Sequence, residues 1–238
     1  MFRTLLFVVL LMPFASFAAI DVNALGEGLL TLAPELKTLA TLTMLSFVPL
    51  FFIAMTSFTR ILIVLSLLRH AMGLQQTPPN MVLLTLALFL TLFTMSPVFE
   101  RSLHQGVQPY LQEQLPLDKA ITAATDPFKT FMISQTREQD FAAVAAMNGT
   151  PLPATAAEVP MLQLIPAFML SELTTAFKMA FLLFIPFLLI DLVVASLLMA
   201  LGMMMVPPVT VSLPLKIMVF VLIDGWALLS RSLVSSFN

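Results

Sequence analysis

The chain has 238 residues, 59% of them hydrophobic and 10% charged, with a formal net charge of −2 and a mean hydropathy of +1.00. Soluble proteins average about 45–50% apolar and about 25% charged residues, so this composition belongs to the membrane class. The near-neutral charge excludes the basic footprint of a nucleic-acid binder, and the lack of cysteine excludes disulfides, a thiolate nucleophile and a cysteine metal site.

Residues 1–18 read as a secretory signal. Arg3 supplies the positive end, Leu5 to Met12 the short apolar core, and Pro13 with Ser16-Phe17-Ala18-Ala19 a small-residue cleavage site, with cleavage after Ala18. The core is well short of the roughly 20 residues a span needs, which weighs against the competing reading of an uncleaved anchor. Residues 19–238 read as one integrated unit, because apolar material is spread through them.

Four apolar blocks follow, over 39–68, 81–99, 161–201 and 206–234. Hydropathy alone gives four or five spans. The turn over 69–80 carries Arg69 and so leans cytoplasmic by the positive-inside rule. Region 100–160 holds seven acids and four bases, a net of −3, and falls on the opposite side. It is polar but helical in pattern: Asp126 caps a helix with Pro127 at its first position, Phe128, Phe131 and Met132 form an apolar patch, and Asn148-Gly149 is a stop. Pro151, Pro153 and Pro160 mark a loop.

The third block is too long for one straight span. Its 41 residues would make a helix of about 60 Å, twice the ~30 Å hydrocarbon core. Pro166 and Pro186 interrupt it, and Pro49, Pro97 and Pro214 fall in or near the ends of the others. In lipid the freed backbone groups need protein or water partners. Kinked helices packed on one another fit this better than isolated rods.

Between the third and fourth blocks, Gly202-Met203-Met204-Met205-Val206-Pro207-Pro208 has no charged or hydroxyl side chain. Thioethers are flexible and polarizable and close around irregular shapes. The turn therefore reads either as a compliant seal beside a passage or as an apolar loop tucked into protein.

Arg60, Glu172, Lys178, Asp191, Lys216 and Asp224 lie inside apolar blocks, with Arg231 near the last end. Each Arg, Lys or Asp facing lipid at a helix centre costs about +2.5 to +3.5 kcal/mol on insertion scales, so these charges need partners, water or protein around them. No opposite-sign pair within the blocks has the spacing of three or four that permits contact on one helix. The partners must come from other helices or other subunits, unless the charges line a watery cavity. Enzyme chemistry finds little footing. His70 and His104 stand apart, no glycine-rich phosphate loop or nucleophile elbow occurs, and Asp191 with Asp224 is a weak candidate for a paired-carboxylate protease.

Six stretches carry a family resemblance: MTSFTR at 55–60, VLSLLRHAMGLQQTPPN at 64–80, ALFLTLFTMSPVF at 87–99, SQTRE at 134–138, the run from SELTTAFKMAF to GMMMVPP at 171–208, and LPLKIMVFVLIDGW at 213–226. They resemble the FliP family, the inner-membrane export-gate component of bacterial flagella, related to an injectisome counterpart. MTSFTR and the signal peptide favour the flagellar branch. The first 38 residues and the loop 100–125 match poorly.

The resemblance implies an all-α fold of membrane-associated kinked helical hairpins, packed with FliQ and FliR in a helically staggered hetero-oligomer with a pentameric tier. It implies a place in the flagellar basal body, largely facing the periplasm, and passage of unfolded flagellar proteins without chemical conversion, cofactor or metal. Met203, Met204 and Met205 match the family's channel gasket. Arg137, Glu172, Asp191 and Lys216 match its inter-subunit charged positions, and Arg60 joins them from its apolar setting. The competing reading is a monomeric transporter or ion channel with Glu172, Asp191 and Lys216 as a midplane relay.

Overall fold

The computed structural model describes residues 34–149 and 158–237, and the regular structure among them is helical throughout. The signal segment 1–18 and the Pro151–Pro153 stretch lie outside the described residues. The helices are α1 (Pro34–Met55), α2 (Phe58–Ala71), α3 (Asn80–Ser102), a π turn (Leu103–Val107), α4 (Gln108–Leu111), α5 (Leu117–Gln135), α6 (Glu138–Met147), α7 (Met161–Ala200), α8 (Pro208–Leu222) and α9 (Gly225–Ser235). Two runs, Asn80–Leu111 and Met161–Ala200, are long and apolar enough to cross a membrane, and up to four are if each of two bent helix pairs counts as one broken span.

The chain forms two compact units. One comprises the described residues within 34–55 and 98–168, the other those within 56–97 and 169–237. The first unit holds the polar region. Its core joins Met132 of α5 to Val159, Leu164 and Phe168, with Phe131 and Phe141 packed on it, and Phe131 meets Phe168 edge-on at 5.9 Å. The patch read from Phe128, Phe131 and Met132 is thus a core face, with Phe128 edge-on to Phe99 at 5.6 Å.

The helix start expected with Asp126 as cap and Pro127 first is corrected: α5 begins ten residues earlier, at Leu117, after an extended Pro116 (φ −68, ψ 157), and runs through Pro127. A proline removes one backbone donor, and the helix-favouring Lys119, Ala120, Ala123 and Ala124 ahead of it carry the ladder across that gap. The stop at Asn148-Gly149 is as read, since α6 ends at Met147 and Gly149 takes φ +64.

Gly106 makes the close approach that joins the π turn to α5. A Cβ there would lie 2.5 Å from Ala124 Cβ, 2.6 Å from Ala124 N and 2.7 Å from Ala120 O, while Ser102 Oγ donates to Ala124 O at 2.7 Å. Backbone cannot yield as a flexible side chain can. A Gly106→Ala change is therefore expected to cost about 1–3 kcal/mol as overpacking, read as a lower denaturation midpoint in detergent, and an unchanged midpoint would contradict the packing described.

The second unit is built on α2, whose Ile61, Val64, Leu65 and Leu68 are buried. The block read as continuous over 39–68 is divided at the buried Thr56-Ser57, where Phe58 N–H donates to Thr56 Oγ1 at 3.4 Å. Side-chain hydroxyls competing with the ladder give the physical reason. In the opposite direction, Pro166 and Pro186 do not interrupt the third block, and α7 is one 40-residue helix. Each proline removes one donor, and long helix-favouring runs on both sides of Pro186 sustain the rest.

Helix α7 ends at Gly202 (φ +73), where Met203 N–H reaches Leu198 O at 2.9 Å and Gly202 N–H reaches Met199 O at 3.0 Å. This left-handed closure turns the chain back as α8, and Phe187 of α7 meets Phe220 of α8 at 6.4 Å. The fourth block is also divided. Asp224 takes left-handed φ 51, ψ 51, α9 departs at 64° from α8, and Trp226 stands edge-on to Phe220 at 5.3 Å.

Candidate functional site

Four of the charges inside the apolar blocks form two separate clusters in the second unit. In the hairpin, Lys216 Nζ donates to Asp191 Oδ2 at 2.6 Å and to Ala71 O at 3.2 Å, and Ser212 Oγ donates to Asp191 Oδ1 at 2.7 Å. Ser212 and Lys216 are four apart on α8 and so share the face turned to α7. Both oxygens of Asp191 are thereby engaged, and α2, α7 and α8 are tied at one level.

The second cluster centres on Arg60 of α2. Its Nε donates to Glu172 Oε2 at 2.9 Å, Nη2 donates to Glu172 Oε1, and Nη1 donates to both Ser236 O and Ser236 Oγ at 3.2 Å. The guanidinium also lies 3.8 Å from the Phe237 ring centroid, a cation–π contact. Glu172 is 0% exposed. A buried carboxylate is tolerable only when its charge and lone pairs are met, and the forked guanidinium meets both oxygens at once.

Arg137 belongs to the first unit. At the entry to α6 its Nε donates to Asp140 Oδ2 at 2.8 Å, with Nη2 at 2.7 Å from the same oxygen. Arg69, read from sequence as a topology charge, is instead buried and closes its own turn, with Nη1 donating to Pro78 O at 3.2 Å and Asn80 Oδ1 at 2.6 Å. His70 and His104 sit on helical turns, exposed.

All five expected charged contacts, at Arg60, Arg137, Glu172, Asp191 and Lys216, thus have a partner within the chain. Of the two sources open to the charges in the blocks, other helices supply the partners of Arg60, Glu172, Asp191 and Lys216. Sequence reasoning missed Ser236 and Phe237, Ser212 and the Ala71 carbonyl. Only Ser212 carried a signal, its i,i+4 relation to Lys216.

The arrangement does not make a relay. Glu172 and Asp191 are 19 residues apart on α7, about 28 Å at ~1.5 Å per residue, and each is held by a different base. Asp224 follows Lys216 by eight residues, about 12 Å along α8, so it does not join Asp191 in a paired carboxylate. Among the described residues no three His, Asp or Glu side chains converge as metal ligands.

At the tip of the α7–α8 hairpin, Met203, Met204 and Met205 are 44%, 85% and 96% exposed. Among the described residues, Met204 and Met205 are left open and Met203 is half covered. The site is an apolar, adaptable tip on a hairpin braced just past the midpoint of α8 by Asp191–Lys216.

A family model described as "FliP family" matches residues 41–233. The chain is 51% identical to a flagellar biosynthetic protein FliP of Caulobacter vibrioides over 96% of this chain and 86% of the relative. The protein of that name from Pectobacterium carotovorum is 54% identical, over 85% of this chain and 79% of its own length. A third, from Bacillus subtilis, is 48% identical over 84% of this chain and 91% of the relative.

Proposed function

The chain belongs to the FliP family, and on that premise we propose that it is a core, channel-forming subunit of the flagellar type III protein export gate. In this reading it sits in the bacterial inner membrane at the flagellar basal body and faces largely toward the periplasm. It associates with copies of itself in a pentameric tier and with FliQ and FliR. Unfolded flagellar proteins pass through, and Met203, Met204 and Met205 help close the passage at rest.

The observation that carries the reading is the uncovered methionine tip on a charge-braced hairpin. Thioethers adapt their shape at low cost, which suits a closure that must open for chains of varied sequence and reseal behind them. Polar contacts inside an apolar assembly fix register, and the Asp191–Lys216–Ala71 contacts set the height of the tip against α2. The carrier alternative loses support from the wide separation of Glu172 and Asp191.

The test is Lys216→Glu. It places a second carboxylate beside Asp191 and removes the donor to Ala71 O, so the hairpin loses its brace. Like charges in such a setting cost several kcal/mol, and the complex recovered by co-purification with FliQ and FliR is expected to fall about tenfold or more. Normal recovery would contradict the role of the brace in assembly.

A further inference from the structure

Three charges in the apolar blocks, Lys178, Asp224 and Arg231, take no part in either cluster. Lys178 on α7 and Asp224 at the α8–α9 corner are both exposed, and neither has a side-chain partner among the described residues, whereas Arg60, Glu172, Asp191 and Lys216 are all engaged. Each lone charge stands in an apolar surround. Phe181 and Leu182, three and four residues on from Lys178, share its face and are exposed, as is Phe177. Asp224 is flanked by exposed Leu222 and Ile223, with exposed Leu228 one turn into α9. Asp224 is also fixed in place, because its left-handed backbone precedes Gly225, where a Cβ would meet the Phe220 ring at 2.3 Å.

We propose that Lys178 of one copy of this chain pairs with Asp224 of a neighbouring copy, each ringed by the apolar side chains of its own surface. The two surfaces are complementary. The described parts of the four blocks leave two ionisable groups unmet in apolar settings, and they are opposite in sign. Arg231, the remaining exposed charge, stands beside Ser230 and Ser232 toward a serine-rich helix end and has a polar setting of its own. Repeated head to tail from copy to copy, a contact of residue 178 with residue 224 generates rings or helical stacks, whereas a two-fold pair would stop at the dimer. Apolar residues around a charged pair exclude water and give the pair its weight. The proposal rests on the multimeric reading above and adds the contact that orders the copies.

The pairing is tested by charge exchange in the chain co-expressed with FliQ and FliR. Lys178→Glu and Asp224→Lys are each expected to lower flagellar export about tenfold, and the double variant to restore most of it, because exchanging partners preserves the coupling that each single change breaks. The native chain has no cysteine, so a Lys178→Cys/Asp224→Cys variant treated with a short bis-maleimide should give a ladder of dimers and higher species, which neither single variant gives. Single defects without restoration, as expected if Lys178 reaches a lipid headgroup or an acid on another subunit, would overturn the pairing. So would cross-linking confined to the monomer. Native mass spectrometry of the same samples separates the two levels: intact multimers with no 178–224 cross-link refute this contact alone, and absence of multimers from the parent refutes the gate reading.

Discussion

An Arg60→Met variant is expected to lose about 3–5 kcal/mol of stability in detergent, the cost of leaving a buried carboxylate without its partner. Glu172 is fully buried, and its two oxygens are both met by this one guanidinium. Burial of the pair is itself weak ground for stability, since apolar replacements of similar volume are often neutral. The prediction therefore has a second arm. In Arg60→Met/Glu172→Met the unpaired charge is gone, and most of the loss should be recovered. Recovery should be incomplete, because Arg60 also holds Ser236 and Phe237. Denaturant unfolding in detergent measures the first effect. A single variant as stable as the parent would show that the carboxylate has another partner.

The second large effect is functional rather than structural. Replacing Met203, Met204 and Met205 together with alanine shortens three side chains that are exposed among the described residues. Exposed substitutions usually change stability by less than about 0.5 kcal/mol, so the isolated chain should fold as before. In the assembled complex the closed passage would lose its adaptable apolar lining. Because a hydrophobic constriction gates by excluding water, the resting ion conductance in a bilayer is expected to rise at least about tenfold over the parent. An assembled variant as tight as the parent would place the seal elsewhere.

Much of this was legible in the amino-acid sequence, and what was hidden has a common cause. The excess length of the third block, the stop at Gly149 and the apolar turn after Gly202 are local properties, and each appears where the pattern puts it. Breaks inside apolar runs were not legible. Thr56-Ser57 and Asp224 interrupt blocks whose hydropathy does not change, while Pro127, Pro166 and Pro186 leave their helices continuous. A local hydroxyl contact accompanies the first break, and helix-favouring residues beside Pro127 and Pro186 carry the ladder past them, neither of which hydropathy registers. The same limit applies to the charges. Spacing correctly excluded partners on the same helix within the blocks, but Glu172 lies 112 positions from Arg60 and Ser236 lies 176 from it, and no periodicity encodes such pairs. Membership in the FliP family carried the function further than the spacing rules did, because its motifs span most of the chain.

The central claim is that the greasy flanks left open on this chain, from Phe89 and Phe93 on α3 to Leu192 on α7 and Met204 at the hairpin tip, are covered in the cell by other protein subunits. Native mass spectrometry after co-expression with FliQ and FliR tests it most directly. The account predicts a complex holding several copies of this chain together with both partners. A single copy, retained only with lipid and carrying neither partner, would contradict it.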